Sequence, residues 1–233
     1  MRRVHKLIAA ARAQGRDLLE HEALALLGEY GVPIPAHRFL PGTDADAAAE
    51  ATRAIGMPVA VKIVSKDIVH KSDVGGVETG LDTEAAVRAA CRRISQRVAL
   101  GAPRAEIAGL LVVKQALPGL ECVAGMTRDP QFGTALMFGL GGVFVEALDD
   151  VALQLLPVDR DEALEMTRGI RGARLLDGYR GAGPLDRPAA ADLICRLGAL
   201  AEAEPELAEI DVNPFFLYPQ GLLPVDVRML LKK

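Results

Sequence analysis

Residues 210–231 read IDVNPFFLYPQGLLPVDVRMLL, two mainly apolar stretches separated by a Pro-Gln-Gly turn. Turn residues between two stretches of strand-forming residues are typical of a β-hairpin. We therefore predict two antiparallel strands, Ile210–Tyr218 and Leu222–Leu231. A two-residue loop, Pro219-Gln220, would fix the partner of every residue in this hairpin.

In that register Asn213 lies opposite Asp226, and Asp211 lies opposite Arg228. Because side chains alternate in direction along a strand, all four share one face of the hairpin. Opposed side chains are about 5 Å apart, a distance that one cation can bridge. The oxygens of Asn213 and Asp226 suit Mg²⁺, which takes few protein carboxylates and leaves its other positions to water and phosphate.

A second interpretation of the hairpin is a surface turn whose polar residues face water. A three-residue loop would shift the register by one residue and separate Asn213 from Asp226. The flanking strand residues are apolar, which places the polar groups at the rim of a core and favours a binding site.

The composition indicates a globular chain. Of 233 residues, 50% are hydrophobic, and Lys+Arg 27 against Asp+Glu 31 gives a net charge of -4. Such a balance lacks the basic footprint of a nucleic-acid-binding protein, and no apolar stretch approaches the roughly 20 residues of a membrane span. The three separated cysteines (Cys91, Cys122 and Cys195) suggest neither a disulfide framework nor a zinc site, and they fit a cytoplasmic protein.

Short strands and helices alternate along the chain in two clusters that meet near residue 114. This pattern predicts an α+β fold with two lobes, residues 1–113 and 114–233. The predicted helices cover Asp17–Tyr30, the stretch from Thr43 to Ile55, the stretch from Asp82 to about Val98, and two stretches near Arg160 to Ile170 and Arg187 to Ala203. The remaining predicted strands are Val59–Val64, Val77–Leu81, Gly109–Gln115, and the stretches 120–127, 134–138 and 143–148.

Lys62 interrupts the apolar strand Val59–Val64. A lysine is costly to bury without a partner. Either this strand lies at the edge of its sheet and the lysine extends to water, or its ammonium group reaches an anion such as a phosphate.

The stretch SKDIVHKSDVGG, residues 65–76, is a polar loop between two predicted strands. Gly75 and Gly76 offer backbone N–H groups without side-chain bulk, which can bind phosphates, although glycine pairs are more often simple turns. The loop is not a Walker A motif, because no Gly-Lys-Ser/Thr follows. His70 is either a solvent-facing loop residue or a nucleophile towards a phosphoryl group.

Several longer motifs occur in order: HKSDVGGV (70–77), VVKQALPG (112–119), TRDPQFGTALMFGLGGVFVEAL (127–148), EIDVNPF (209–215) and PVDVR (224–228). Together they resemble the ATP-grasp region of ADP-forming acetyl-CoA synthetases and, more distantly, the beta chain of succinyl-CoA synthetase. The resemblance covers nearly the whole chain from about Leu18 onward. It implies an ATP-grasp fold, in which two α+β lobes hold ATP or ADP and Mg²⁺ in a cleft.

The resemblance also assigns roles to particular residues. It makes Lys62 a phosphate-binding lysine and the Gly75-Gly76 pair part of a flexible loop over the phosphates. It makes His70 a histidine that becomes phosphorylated. The remaining roles fall to the strand Val113, Lys114 and Gln115 as the adenine contact, to Glu121 as the ribose contact, and to Asn213 and Asp226 as metal ligands.

In this family phosphate passes through histidine between nucleotide and an acyl group that ends on coenzyme A. No part of the sequence resembles the coenzyme A-binding and ligase domains, so the resemblance implies a separate alpha-type partner subunit. The alternative hypothesis is a regulatory module that binds nucleotide without turnover. We expect neither nucleic acid nor a membrane among the partners.

Overall fold

The computed structural model describes residues 5–142, 150–178, 181 and 183–233. Its helices are α1 (Lys6–Ala13), α2 (Glu20–Glu29), α3 (Ala45–Ile55), α4 (Glu84–Gly101), α5 (Arg160–Gly169) and α6 (Arg187–Ala203), with a 3-10 turn at Arg171–Leu175. Its strands are β1 (His37–Pro41), β2 (Val59–Ser65), β3 (Val77–Leu81), β4 (Ile107–Lys114), β5 (Leu120–Asp129), β6 (Gly133–Leu140), β7 (Val151–Leu155), β8 (Leu207–Leu217), β9 (Leu222–Pro224) and β10 (Val227–Leu231).

The chain forms two compact units. The smaller unit is Pro35–Ala116, and the larger unit combines Met1–Ile34 with Leu117–Lys233. The sequence-based division after residue 113 places the N-terminal segment in the first lobe, whereas the structure groups that segment with the larger unit.

Contacts to the last strand explain this grouping. Leu18 forms a β-bridge with Met229, and the Asp17 carboxylate accepts a hydrogen bond from the Leu231 N–H at 2.7 Å. Helix α2 also packs against β10. The N-terminal segment therefore extends the larger unit, although it precedes the smaller one in sequence.

The smaller unit contains a four-stranded antiparallel sheet with the strand order β1-β4-β2-β3. Strand β2 has neighbours on both sides, and its residues from Val59 to Val64 are all buried. Val59, Val61 and Ile63 pack with α3 and α4 in one apolar cluster. Burial in a two-sided position explains why β2 reads as a nearly continuous apolar stretch.

The larger unit contains a sheet with the strand order β10-β8-β5-β6-β7, in which β9 also pairs with β8. Helix α6 packs closely on β5 and β6: a Cβ atom on Gly198 would lie 3.3 Å from Cδ1 of Leu136. Leu136 is in register with Met126, which is in register with Ile210, and all three are buried. Because side chains alternate along each strand, the neighbouring residues Gly125 and Asp211 face away from α6.

Most elements were predicted from sequence patterns. The predicted helix Arg187–Ala203 has the same bounds as α6. Helix α1 and strands β1 and β7 were not anticipated, and the strand predicted at 143–148 lies outside the described residues. None of the helices in the described ranges has the length and apolar character that crossing a membrane requires.

Candidate functional site

The closing hairpin has the register that the two-residue loop predicts. Arg228 pairs with Asp211, and Leu217 pairs with Leu222. The Tyr218 N–H donates to the Gly221 carbonyl oxygen at 3.0 Å, which closes the loop. The register prediction is therefore confirmed, and the three-residue loop is wrong.

Asn213 and Asp226 are bonded through their backbones in this register, because the Asn213 N–H donates to the Asp226 carbonyl oxygen at 3.1 Å. The next step of the hairpin is irregular: the N–H groups of Val225 and Asp226 both donate to the Pro214 carbonyl oxygen. This irregularity ends β9 at Pro224 and starts β10 at Val227. The candidate metal ligands thus lie at a break between two strands.

Asp186 fixes the hairpin turn to helix α6. Its carboxylate accepts hydrogen bonds from the Gly221 N–H at 2.7 Å and from the Ala189 N–H at 3.0 Å. Its own N–H donates to the Tyr218 carbonyl oxygen at 2.8 Å. One side chain therefore caps the helix and holds the turn that sets the hairpin register.

The hairpin face that carries Asp211 and Asp226 is rich in negative charge. Burial raises the pKa of Asp211, and the nearby carboxylates of Glu209 and Asp226 raise it further, while Arg228 acts in the opposite direction. A bound cation would relieve this concentration of negative charge. Within the described residues there is no cluster of three or more His, Cys, Asp or Glu side chains that could hold a metal, so any cation site here uses few protein ligands.

Glu121 lies on the face of the larger sheet that also carries Asp211. Cys122, the next residue in β5, is buried, and Glu121 is exposed. The Gly141 N–H donates to the Glu121 carbonyl oxygen at 2.7 Å. A Cβ atom on Gly142 would lie 2.8 Å from Oε2 of Glu121, so the absence of a side chain at Gly142 makes room for this carboxylate.

Lys62 lies in the interior strand β2, so the edge-strand interpretation is wrong. Its register partners are Leu111 in β4 and Val77 in β3, and only 5% of the residue is exposed. The adjacent Ile63 N–H donates to the Gly76 carbonyl oxygen at 2.8 Å. The structure therefore brings Lys62 to the base of the glycine-containing loop.

The backbone at the end of β4 is held by its neighbours. Val113 is in register with Ala60, and the Lys114 N–H donates to the Ala36 carbonyl oxygen at 2.7 Å. The Lys114 ammonium group donates to the Met57 carbonyl oxygen at 2.5 Å. The ammonium group thus ties β4 to the segment that enters β2.

Gln115 makes a similar pair of contacts. Its N–H donates to the Pro58 carbonyl oxygen at 3.1 Å, and its side-chain oxygen accepts a hydrogen bond from the Gly80 N–H at 2.5 Å. These bonds fix the path of the chain at the end of β4.

The loop around His70 closes on itself. The Asp73 N–H donates to the His70 carbonyl oxygen at 3.3 Å, the Gly75 N–H to Ser72 at 3.0 Å, and the Gly76 N–H to the Lys71 carbonyl oxygen at 2.7 Å. The N–H groups of Gly75 and Gly76 are therefore engaged inside the loop in this structure, and they would have to leave these bonds to reach a phosphate. The His70 side chain is exposed.

The predicted site residues divide between the two units. Lys62, the loop and the end of β4 belong to the smaller unit, whereas Glu121 and the hairpin belong to the larger one. Glu78, Arg93 and Arg97 were not predicted as site residues, but Glu78 binds both arginines and Arg97 contacts the loop. The spacing of the two arginines, i and i+4 on a helix, was the available signal.

Comparison with known proteins identifies the chain's relatives. The ATP-grasp domain profile matches residues 9–231. The chain is 42% identical to "Acetate--CoA ligase [ADP-forming] I subunit beta" of Pyrococcus furiosus over 98% of each chain. It is 39% identical to "Acetate--CoA ligase [ADP-forming] I" of Archaeoglobus fulgidus, covering 98% of this chain but only 33% of that longer one.

A solved structure with the same fold is acetyl-coenzyme A synthetase 1 of Ca. Korarchaeum cryptofilum, in complex with coenzyme A, Ca-AMPCP and HgCl+. It has a TM-score of 0.94 and 43% identity, and the match covers 97% of this chain and 98% of that one. A second structure of the same protein contains coenzyme A and Mg-AMPPCP, and its phosphohistidine segment points towards the nucleotide binding site; the TM-score is 0.84 at 40% identity, with 97% and 98% covered. These matches confirm the predicted mixed α+β, ATP-grasp fold.

Proposed function

The chain belongs to the ATP-grasp family, and from this membership we propose that it is the nucleotide-binding, beta-type subunit of an ADP-forming acyl-CoA ligase. The reaction is acyl-CoA + ADP + phosphate ⇌ carboxylate + ATP + coenzyme A. The observation that carries the proposal is the hairpin register, which sets Asn213 opposite Asp226 on an acidic sheet face. Relatives of the same length carry the ligase name.

Asn213 and Asp226 would hold Mg²⁺. The donor set fits this ion, since it offers an amide and a carboxylate oxygen and leaves room for water and phosphate. When bound, Mg²⁺ neutralises charge on the phosphates during phosphoryl transfer. The related archaeal synthetase was solved with calcium and with magnesium complexes of nucleotide analogues.

Nucleotide binding would use the residues that resemble the family's nucleotide contacts. Lys62 would neutralise phosphate charge, because a buried ammonium interacts strongly with an anion in a low-dielectric setting. The strand from Val113 to Gln115 would contact adenine, and Glu121 would accept hydrogen bonds from the ribose hydroxyls. Gly75 and Gly76 would act through opening of their loop.

His70 would relay the phosphoryl group. In the direction of ATP synthesis, the bond between phosphorus and a His70 ring nitrogen breaks while an ADP oxygen forms a new bond to phosphorus, and the ring nitrogen keeps the electron pair. In the reverse direction, a ring nitrogen attacks the γ-phosphorus of ATP and ADP leaves. The exposed position of His70 allows it to meet a second site on another subunit.

A partner subunit would supply the remaining chemistry. The chain spans nearly all of the Pyrococcus furiosus beta subunit but about a third of the single-chain Archaeoglobus fulgidus ligase. We propose that the other two thirds correspond to an alpha-type subunit that binds coenzyme A and the acyl group.

Calorimetric titration of the chain with Mg-ATP and Mg-ADP tests nucleotide binding. Saturable binding of both is expected, and binding of neither would refute the proposal. Catalysis is then distinguished from regulation by incubation with γ-labelled ATP: acid-labile label at His70, absent from His70→Ala, supports the ligase. Saturable binding without any label would favour a regulatory module instead.

A further inference from the structure

One side of helix α4 faces the strand β3 and the loop of residues 65–76, which contains His70. Arg93, Arg97 and Gly101 are spaced at i, i+4 and i+8, so they form a single stripe along the helix. Each of the three contacts Glu78 or the loop. This stripe is separate from the apolar stripe through which Ile94 and Val98 enter the core of the smaller unit.

Glu78 in β3 holds the two arginines together. Arg93 donates to both carboxylate oxygens, at 2.9 and 2.5 Å, and Arg97 donates to Oε1 at 2.6 Å. The Glu78 side chain is 13% exposed, whereas those of the arginines are 48% and 44% exposed. The hydrogen bonds from Arg93 lower the pKa of Glu78 most, and the hydrogen bond from Arg97 lowers it further, against the opposing effect of burial.

Arg97 extends from this group to the loop. Its Nη1 donates to the Gly75 carbonyl oxygen at 3.4 Å. A Cβ atom on Gly75 would lie only 2.5 Å from Cδ of Arg97, so the hydrocarbon part of Arg97 lies directly on the Gly75 backbone. Gly75 also has a φ of 63°, a backbone conformation in which residues with a Cβ atom are strained.

The loop has apolar anchors on either side of His70. Ile68 is buried, and Val74 packs against the core of the smaller unit. A Cβ atom on Gly101 would lie 3.5 Å from Cβ of Val74. Residues 69–73 therefore stand between two fixed points, and the hydrogen bonds within the loop join Gly75 to His70 through a few atoms.

We propose that Arg97, held by the Glu78 carboxylate that Arg93 also binds, is a positioning residue that sets the orientation of His70 for phosphoryl transfer. The proposal rests on the phosphoryl-carrying role proposed for His70. Arg97 acts through the Gly75 backbone and needs no contact with phosphate. Because attack on phosphorus requires an in-line approach, a displacement of about 1 Å lowers the rate by up to about 100-fold.

The first test replaces Arg97 with alanine or lysine and measures the single-turnover rate of His70 phosphorylation by Mg-ATP in the 233-residue chain. We expect Arg97→Ala to slow phosphorylation about 10- to 100-fold and to change the affinity for Mg-ATP less than about twofold. Arg97→Lys keeps the positive charge and most of the hydrocarbon chain, so it should recover part of the rate. It should not recover all of it, because a lysine lacks the planar guanidinium group that donates to Glu78 and Gly75 at the same time.

Arg88→Ala is the matched control. Arg88 lies on the same helix and pairs with Asp46 and Glu84 at the surface, away from the loop. Its loss should leave phosphorylation unchanged. Hydrogen exchange of the amides in residues 69–76 gives a second readout, which should accelerate in Arg97→Ala and in Glu78→Gln but not in Arg88→Ala.

The outcomes separate the two proposals. If the wild-type chain forms no phosphohistidine at His70, the proposed role of His70 fails and this inference fails with it. If the wild type is phosphorylated and Arg97→Ala reacts at the same rate with unchanged exchange in the loop, only the positioning role is overturned. If Arg97→Ala does not fold, Arg97→Lys and Glu78→Gln provide the same comparison.

Discussion

Asn213 and Asp226 face each other across the final hairpin, and the Asn213 N–H donates to the Asp226 carbonyl oxygen at 3.1 Å. This pairing holds an amide side chain and a carboxylate at the point where β9 gives way to β10. A Mg²⁺ site with few protein ligands depends on the position of each protein oxygen. Asn213 or Asp226 alone would therefore not form the site.

Asp226→Ala should weaken binding of Mg-ATP at least tenfold, because it removes the only carboxylate assigned to the cation. Binding of ATP in the presence of EDTA should change much less. Calorimetric titration with and without Mg²⁺ measures both values. Asp192→Ala is the control, since Asp192 pairs with Arg160 on the surface; equal losses in the two variants would argue against the metal site.

Lys62→Met should reduce the affinity for ATP about tenfold or more while leaving the protein folded. Methionine has a similar shape, and removing a buried charge also removes its desolvation cost. The free energy of unfolding should therefore change by no more than about 1–2 kcal/mol. Nucleotide titration measures the affinity and urea unfolding measures the stability, with Lys6→Met, a change at an exposed residue of α1, as the control. Unchanged affinity in Lys62→Met would contradict the phosphate role.

Glu78 should make the stability of the chain depend on pH in the acid range. Its pKa is lowered in the folded state by Arg93 and Arg97, so its contribution is fully present above the unfolded-state pKa and is lost as pH falls through the folded-state pKa. The difference in unfolding free energy between wild type and Glu78→Gln should be about 1 kcal/mol at pH 7 and should shrink towards pH 3. A difference independent of pH would exclude this ionic contribution.

Asp186→Ala should destabilise the larger unit by about 1–2 kcal/mol, because it removes a helix cap and the acceptor for the Gly221 N–H. Asp186→Asn keeps side-chain oxygen and should cost less. Thermal unfolding of the two variants provides the comparison. The prediction fails if alanine and asparagine have the same effect.

The buried cysteines should resist alkylation. Burial raises the pKa of Cys91 to about 11 and that of Cys122 to about 12, so almost no thiolate is present at pH 8. The less buried Cys195 should react first with iodoacetamide. Mass spectrometry of peptides after native and denatured labelling measures each site, and rapid labelling of Cys122 in the native chain would contradict the fold.

Sequence patterns predicted features that depend on neighbouring residues. The helix predicted near Arg187 to Ala203 coincides with α6. The hairpin register that the two-residue loop predicts is the observed one. The order of several long motifs then indicated the ATP-grasp family. Each of these features is determined by residues that are close together in the sequence, or by patterns that can be read along it.

Other features depended on residues far apart in the chain. The sequence could not show that β2 is an interior strand, so Lys62 had two interpretations until its neighbours β3 and β4 were known. It also could not place Met1–Ile34 with the larger unit, or bring Arg97 to Gly75.

Local periodicity and turn chemistry decide which segments become helices and strands, because those interactions are between neighbours. Strand order, burial of a charge and contact between a helix and a loop are decided by packing of the whole chain. These are free energies shared among distant residues, and only the tertiary structure reveals them.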